Sequence, residues 1–108
     1  MSSFNLQDLA AIILERTGST ADKSYTKSLL DAGKHRVAKK FGEEAVELAL
    51  ATVDGSDADV KAEAADVLYH LLVLLRARGI SVTDVLNELE TGTQQSGHQE
   101  KASRTSGG

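Results

Sequence analysis

The stretch ADVLYHLLVLL, Ala65–Leu75, decides how this chain can fold. On a helical wheel it is apolar nearly all the way round. The polar exceptions on its helix include Glu63, Asp66 and His70, spaced by three and four, which puts them on one face. A helix that is hydrophobic on every side is a buried helix. The run is too short to span a bilayer and is interrupted by His70. It is therefore expected to be a buried helix of a globular protein.

The remaining segments also read as helices. The chain has 108 residues, 41% hydrophobic and 26% charged, with no proline and few aromatics. This is one domain's worth of helix-forming sequence, so the expected class is all-α. Five helices are predicted. The first runs from Leu6 to Arg16, with Asn5 as N-cap and Gly18 beyond its end. After the loop GSTADKS, a short second helix runs from Tyr25 to about Ala32, capped by Ser24 and stopped by Gly33. The third runs from near Lys34 to near Val53, with Gly42 inside it at a propensity cost of about 1 kcal/mol. DGSD, Asp54–Asp57, is the sharpest turn signal. The fourth helix spans about Ala58 to Arg78, capped by Ser56 or Asp57 and stopped by Gly79. The fifth starts at Ser81, with Asp84 three residues on, and ends near Thr91. Residues 1–91 are read as the domain. Residues 92–108 are read as a disordered tail, having almost nothing apolar to offset the entropy of ordering, and His98 within it as a loose surface residue.

Composition narrows the function. A net charge of −4 argues against general nucleic-acid binding, which needs a dense basic face. The absence of cysteine excludes disulfides and thiolate metal sites and suits a reducing cytoplasm. No secretory signal and no membrane partner are expected.

The third helix carries KKFGEEAVELALA, Lys39–Ala51. With Glu43 at zero on a wheel, Glu47 falls near about 40° and Glu44 near about 100°, with Lys40 and Arg36 in the same arc. Val37, Phe41 and Leu48 flank one edge of that arc, and Val46 and Leu50 flank the other. Acids on a surface helix normally lie opposite a single apolar stripe. Two helices apolar on too many sides call for a partner, so the third and fourth are expected to form the core of an intertwined helical-bundle homodimer.

Glu44 with Glu47, and Glu63 with Asp66, are each spaced i, i+3 on adjacent helices joined by the DGSD turn. Taken alone, E-E-x-x-E is ordinarily a solvated face. A second acidic pair opening an otherwise apolar helix changes that reading. Facing pairs repel or protonate unless a cation intervenes. All-oxygen ligation points to Mg²⁺ or Mn²⁺, and the lack of Glu-x-x-His in the helical core argues against a di-iron bundle. Arg36, Lys39 and Lys40 stand one or two turns upstream, where phosphate could be held. His70 is read as a hydrogen-bonded core histidine, with orientation of Asp66 as its other role.

These residues resemble the MazG-type all-α nucleoside triphosphate pyrophosphohydrolases. Within them, LQDLAAIILER, SYTKSLLDAG, KKFGEEAVELALA and EAADVLYHLLVLLRARG are similar to the phosphoribosyl-ATP pyrophosphohydrolase family. The resemblance implies Mg²⁺-dependent hydrolysis of phosphoribosyl-ATP to phosphoribosyl-AMP and pyrophosphate, the second step of histidine biosynthesis, by an obligate homodimer. It implies Glu44, Glu47, Glu63 and Asp66 as metal ligands, and catalytic roles for Glu43 and Glu47. Lys40, Lys39 and Arg36 are substrate-binding candidates, as are Ser24, Tyr25 and Thr26. The chain looks free-standing, without room for the cyclohydrolase to which some family members are fused. Two other readings stand beside this one: a house-cleaning pyrophosphohydrolase acting on dUTP or altered nucleotides, and a non-enzymatic helical dimerisation module.

Overall fold

The computed structural model describes residues 3–18 and 24–94. It is all-helical there, with five helices: α1 (Leu6–Arg16), α2 (Tyr25–Ala32), α3 (Lys34–Asp54), α4 (Asp57–Arg78) and α5 (Val82–Thr93). Residues 19–23 of the predicted loop and residues 95–108 of the predicted tail, His98 included, lie outside the described residues.

Local chemistry sets the helix boundaries. Asn5 Oδ1 accepts from the Asp8 amide at 2.9 Å, and the Asp8 carboxylate accepts from the Asn5 amide at 3.0 Å. Ser56 and Asp59 form the same reciprocal pair at the start of α4, at 3.1 and 3.2 Å. Ser24 and Ser81 cap α2 and α5 by accepting from Lys27 and Asp84 amides. Each bond satisfies an amide that the helix cannot. The fourth helix ends at Gly79 in the left-handed region (φ 77°), where Ile80 N–H donates to Leu75 O and Gly79 N–H to Arg76 O. That is a Schellman stop, and glycine suits its positive φ. The α3–α4 turn is tight enough that a Cβ on Gly55 would lie 2.8 Å from the Ala51 carbonyl oxygen.

At the far end, α5 continues two residues beyond the predicted end near Thr91. Thr91 Oγ1 donates to Asn87 O and Thr93 Oγ1 to Glu90 O, so hydroxyls absorb carbonyls of the last turn. Thus Gly92 and Thr93, placed by composition in the tail, are helical.

α3 and α4 make the largest contact between elements. The core of Ile13, Leu29, Val37, Leu72, Val73 and Val82 draws on all five helices. Val37 near the start of α3 joins Leu72 and Val73 near the end of α4, so the two helices run antiparallel. Among the described residues, the buried core is gathered at this end. Toward the Gly55 turn, Val46, Leu50 and Val53 are 59%, 64% and 79% exposed. They line one side of α3, at spacings of four and three. A Cβ at Gly42, at the head of that stripe, would meet nothing within 4 Å. Packing inside the chain does not require this glycine.

Ile13 is 1% exposed, at the heart of the core. Ile13→Ala is expected to lower the unfolding free energy by about 2–5 kcal/mol, read as a shifted urea midpoint with an unchanged slope.

Candidate metal centre

Antiparallel packing turns two sequence motifs into one cluster. Glu44 on α3 and Glu63 and Asp66 on α4 each place a carboxylate oxygen so that all three lie within 4.8 Å of one another. Glu44 is buried (7% exposed), Glu63 half-buried and Asp66 exposed. The cluster therefore has a closed floor and an open mouth. Glu63 Oε2 is buried without a hydrogen-bond partner. A buried carboxylate oxygen without a donor is costly. Three converging carboxylates are all acceptors when ionised, so no two of them can satisfy each other. The donor set is oxygen only. It fits a hard divalent cation, and the orphaned Glu63 oxygen is the observation that favours one.

Glu47 stands beside this group on an exposed turn of α3. The charge of Glu44 raises its carboxyl above the ordinary carboxylate range, followed by the charge of Glu63. Lys40 Nζ lies 3.2 Å from Glu44 Oε1. That hydrogen bond raises the Lys40 ammonium, with further contributions from Tyr25 and from the Glu44 charge. A single lysine offsets only part of the cluster's charge.

The remaining predicted site residues fall into two sets. Lys40, Glu43 and Glu47 line an open basin of about 630 Å³ with Gly42 and Val46, so Glu43 faces solvent beside the carboxylate cluster without joining it. Arg36 is exposed, near enough to Tyr25 for its charge to act on that hydroxyl. Lys39 is exposed, and among the described residues its ammonium is in no ion pair. On α2, Tyr25 is half exposed, and burial is the first cause raising its hydroxyl pKa, with Lys40 opposing. Its neighbours turn inward. Ser24 is 9% exposed and spends its hydroxyl on the Lys27 amide. Thr26 is 0% exposed, with its hydroxyl bonded to Tyr69 OH. Ser24 and Thr26 thus hold α2 in place and do not face the basin.

His70 is 5% exposed and bonded at both nitrogens, as expected for a core histidine. Its bond to Asp66 goes to the main-chain carbonyl, not to the carboxylate. The role of Tyr69 escaped sequence reading, because nothing in ADVLYHLLVLL distinguishes it from a core aromatic.

The pattern of the phosphoribosyl-ATP pyrophosphohydrolase family matches residues 6–92 of the chain, from the start of α1 to within one residue of the end of α5. The chain belongs to the phosphoribosyl-ATP pyrophosphohydrolase family. It is 51% identical over 104 residues to a phosphoribosyl-ATP pyrophosphatase of Methylobacterium radiotolerans, covering 96% of this chain and 97% of that one. It is 49% identical, over the same shares, to phosphoribosyl-ATP pyrophosphatase 1 of Rhodopseudomonas palustris. A phosphoribosyl-ATP pyrophosphatase of Azorhizobium caulinodans is 54% identical over 99 residues, covering 92% of this chain and 91% of that one. Within this family's helical frame, the carboxylate cluster is formed by the helix pair that makes the largest contact. No helix among the described residues is long and apolar enough to cross a membrane.

The raised Glu47 carboxyl has a consequence for stability. An acid whose folded pKa lies above its ordinary value of 4.5 binds its proton more tightly folded than unfolded, so stability falls as pH rises through the folded value. In excess chelator, the wild-type melting temperature is expected to fall as pH rises from about 4.5 toward neutrality. Glu47→Gln should flatten that decline, as followed by circular dichroism melts at each pH.

Proposed function

We propose that this protein hydrolyses phosphoribosyl-ATP to phosphoribosyl-AMP and pyrophosphate, the second step of histidine biosynthesis, with Mg²⁺ held by Glu44, Glu47, Glu63 and Asp66. The observation that carries the reading is the convergence of Glu44, Glu63 and Asp66, with one Glu63 oxygen buried and unpartnered. Family membership over residues 6–92 supports the substrate. The relatives named above are each called a phosphoribosyl-ATP pyrophosphatase.

The chain's own groups suit cleavage of a phosphoric anhydride. Glu43 and Glu47 border the basin and can take the proton of the attacking water. Lys40, with Arg36 and Lys39 on the same helix, brings positive charge to the phosphates. When bound, the cation supplies charge neutralisation at the phosphoryl oxygens and acidifies water. Tyr25 borders the same region and contacts the substrate. The helical domain, through the end of α5 at Thr93, acts as the catalytic domain, and the enzyme works in the cytoplasm without a nucleic-acid or membrane partner.

A second copy of the chain completes the molecule. Val46, Leu50 and Val53 form an apolar stripe left exposed among the described residues, on the helix that carries Glu44 and Glu47. Burying it against a partner removes that surface from water. The free Cβ space at Gly42 is consistent with close approach from outside the chain.

Purified protein with Mg²⁺ is expected to release pyrophosphate from phosphoribosyl-ATP and to restore growth of a histidine auxotroph lacking this step. Glu47→Gln should lower kcat by about 10²-fold or more while the protein stays folded. No turnover of phosphoribosyl-ATP alongside brisk turnover of dUTP would overturn the substrate assignment. For the dimer, sedimentation should give twice the chain mass, and Leu50→Asp should shift the population toward monomer.

A further inference from the structure

His70 takes no part in the chemistry above, yet it is buried, and both ring nitrogens are engaged on the border of the site. Nδ1 lies 2.7 Å from the Asp66 carbonyl oxygen. A carbonyl oxygen only accepts, so Nδ1 carries the proton. In the neutral ring Nε2 is then an acceptor, and it lies 3.1 Å from the Tyr25 hydroxyl. The Tyr25 hydroxyl proton is therefore committed inward, and only lone pairs face outward.

The tyrosine ring is held as firmly as its hydroxyl. Tyr69 stacks against it with centroids 6.3 Å apart and planes 21° apart, and His70 meets it edge-on at 5.8 Å and 77°. Tyr69 is itself anchored by the buried Thr26 hydroxyl. Yet Tyr25 remains 50% exposed, near Lys40, Glu44 and Arg36. Such a fixed, acceptor-only oxygen cannot donate to a phosphoryl oxygen. It suits a donor, and the donors that a nucleotide offers beside its phosphates are sugar hydroxyls.

We propose that His70 is a positioning residue that turns the Tyr25 hydroxyl proton inward, so that Tyr25 receives a sugar hydroxyl of the nucleotide rather than a phosphate. The proposal rests on the pyrophosphohydrolase reading and adds to it the group that Tyr25 recognises. The two bonds of His70 can be separated by substitution. A glutamine amide reaches the place of Nε2, whereas an asparagine amide reaches that of Nδ1 alone.

Steady-state kinetics on phosphoribosyl-ATP test this. Tyr25→Phe should raise KM about three- to tenfold, the worth of one hydrogen bond, with kcat within about twofold of wild type. His70→Asn should behave in the same way, and His70→Gln should recover most of the wild-type KM. Tyr25→Phe combined with His70→Asn should be no worse than either alone, because both remove one interaction. Unchanged KM in Tyr25→Phe overturns the proposal, as do equal defects in the Asn and Gln variants or losses that add in the double variant. Tyr25→Phe keeps the ring of a half-exposed residue and removes only its hydroxyl, so it reports even where a His70 variant unfolds. Absence of turnover by the wild type sinks the underlying reading, and the proposal with it. Active wild type with unaffected variants sinks the proposal alone.

Discussion

The antiparallel seam between α3 and α4 brings Glu44 against Glu63 and Asp66, and most other features of the molecule follow from that contact. Carboxylates this close repel, and one oxygen of Glu63 is buried without a donor. A chain selected for stability alone would not keep such a cluster on the side of its central helix pair. The charge persists because the short Gly55 turn fixes the register of the two helices and the core at their other end holds them together. Stability at one end of the seam thus supports strain at the other.

The same division explains where the chain is unfinished. Apolar burial is concentrated around Ile13, Leu72 and Val73, where all five helices meet. Past Glu44, the outer stripe of α3, Val46, Leu50 and Val53, is exposed among the described residues. Hydrophobic surface of that kind on a regular helix face is costly to leave exposed. The proposed second copy and the proposed cation answer the two unmet demands of one helix, one apolar and the other electrostatic.

The short helix α2 sits on this seam with a division of labour. Ser24 caps it, while Thr26 and Leu29 bury themselves, which leaves Tyr25 as the residue turned toward Lys40 and Glu44. Three adjacent residues with polar side chains thus have different fates, because successive positions on a helix point about 100° apart. Tyr25 and Thr26 could not be told apart from their sequence alone. Deciding between them required knowing which side of α2 faces α4.

The sequence by itself determined the helices and the pairing of the carboxylates. Caps such as Asn5, Ser24, Ser56 and Ser81 and stops such as Gly33 and Gly79 act through bonds spanning a few residues, so they are written locally. The i, i+3 spacings of Glu44 with Glu47 and Glu63 with Asp66 are local too, and a two-residue turn leaves antiparallel packing as the simple outcome. Only the tertiary structure decided the rest. It oriented Tyr25 outward and Thr26 inward, gave His70 its two partners and left Glu43 beside the cluster rather than within it. The orientations of Tyr25 and Thr26 depend on contacts between residues more than forty apart in the chain, Tyr25 with His70 and Thr26 with Tyr69, and no local spacing encodes them.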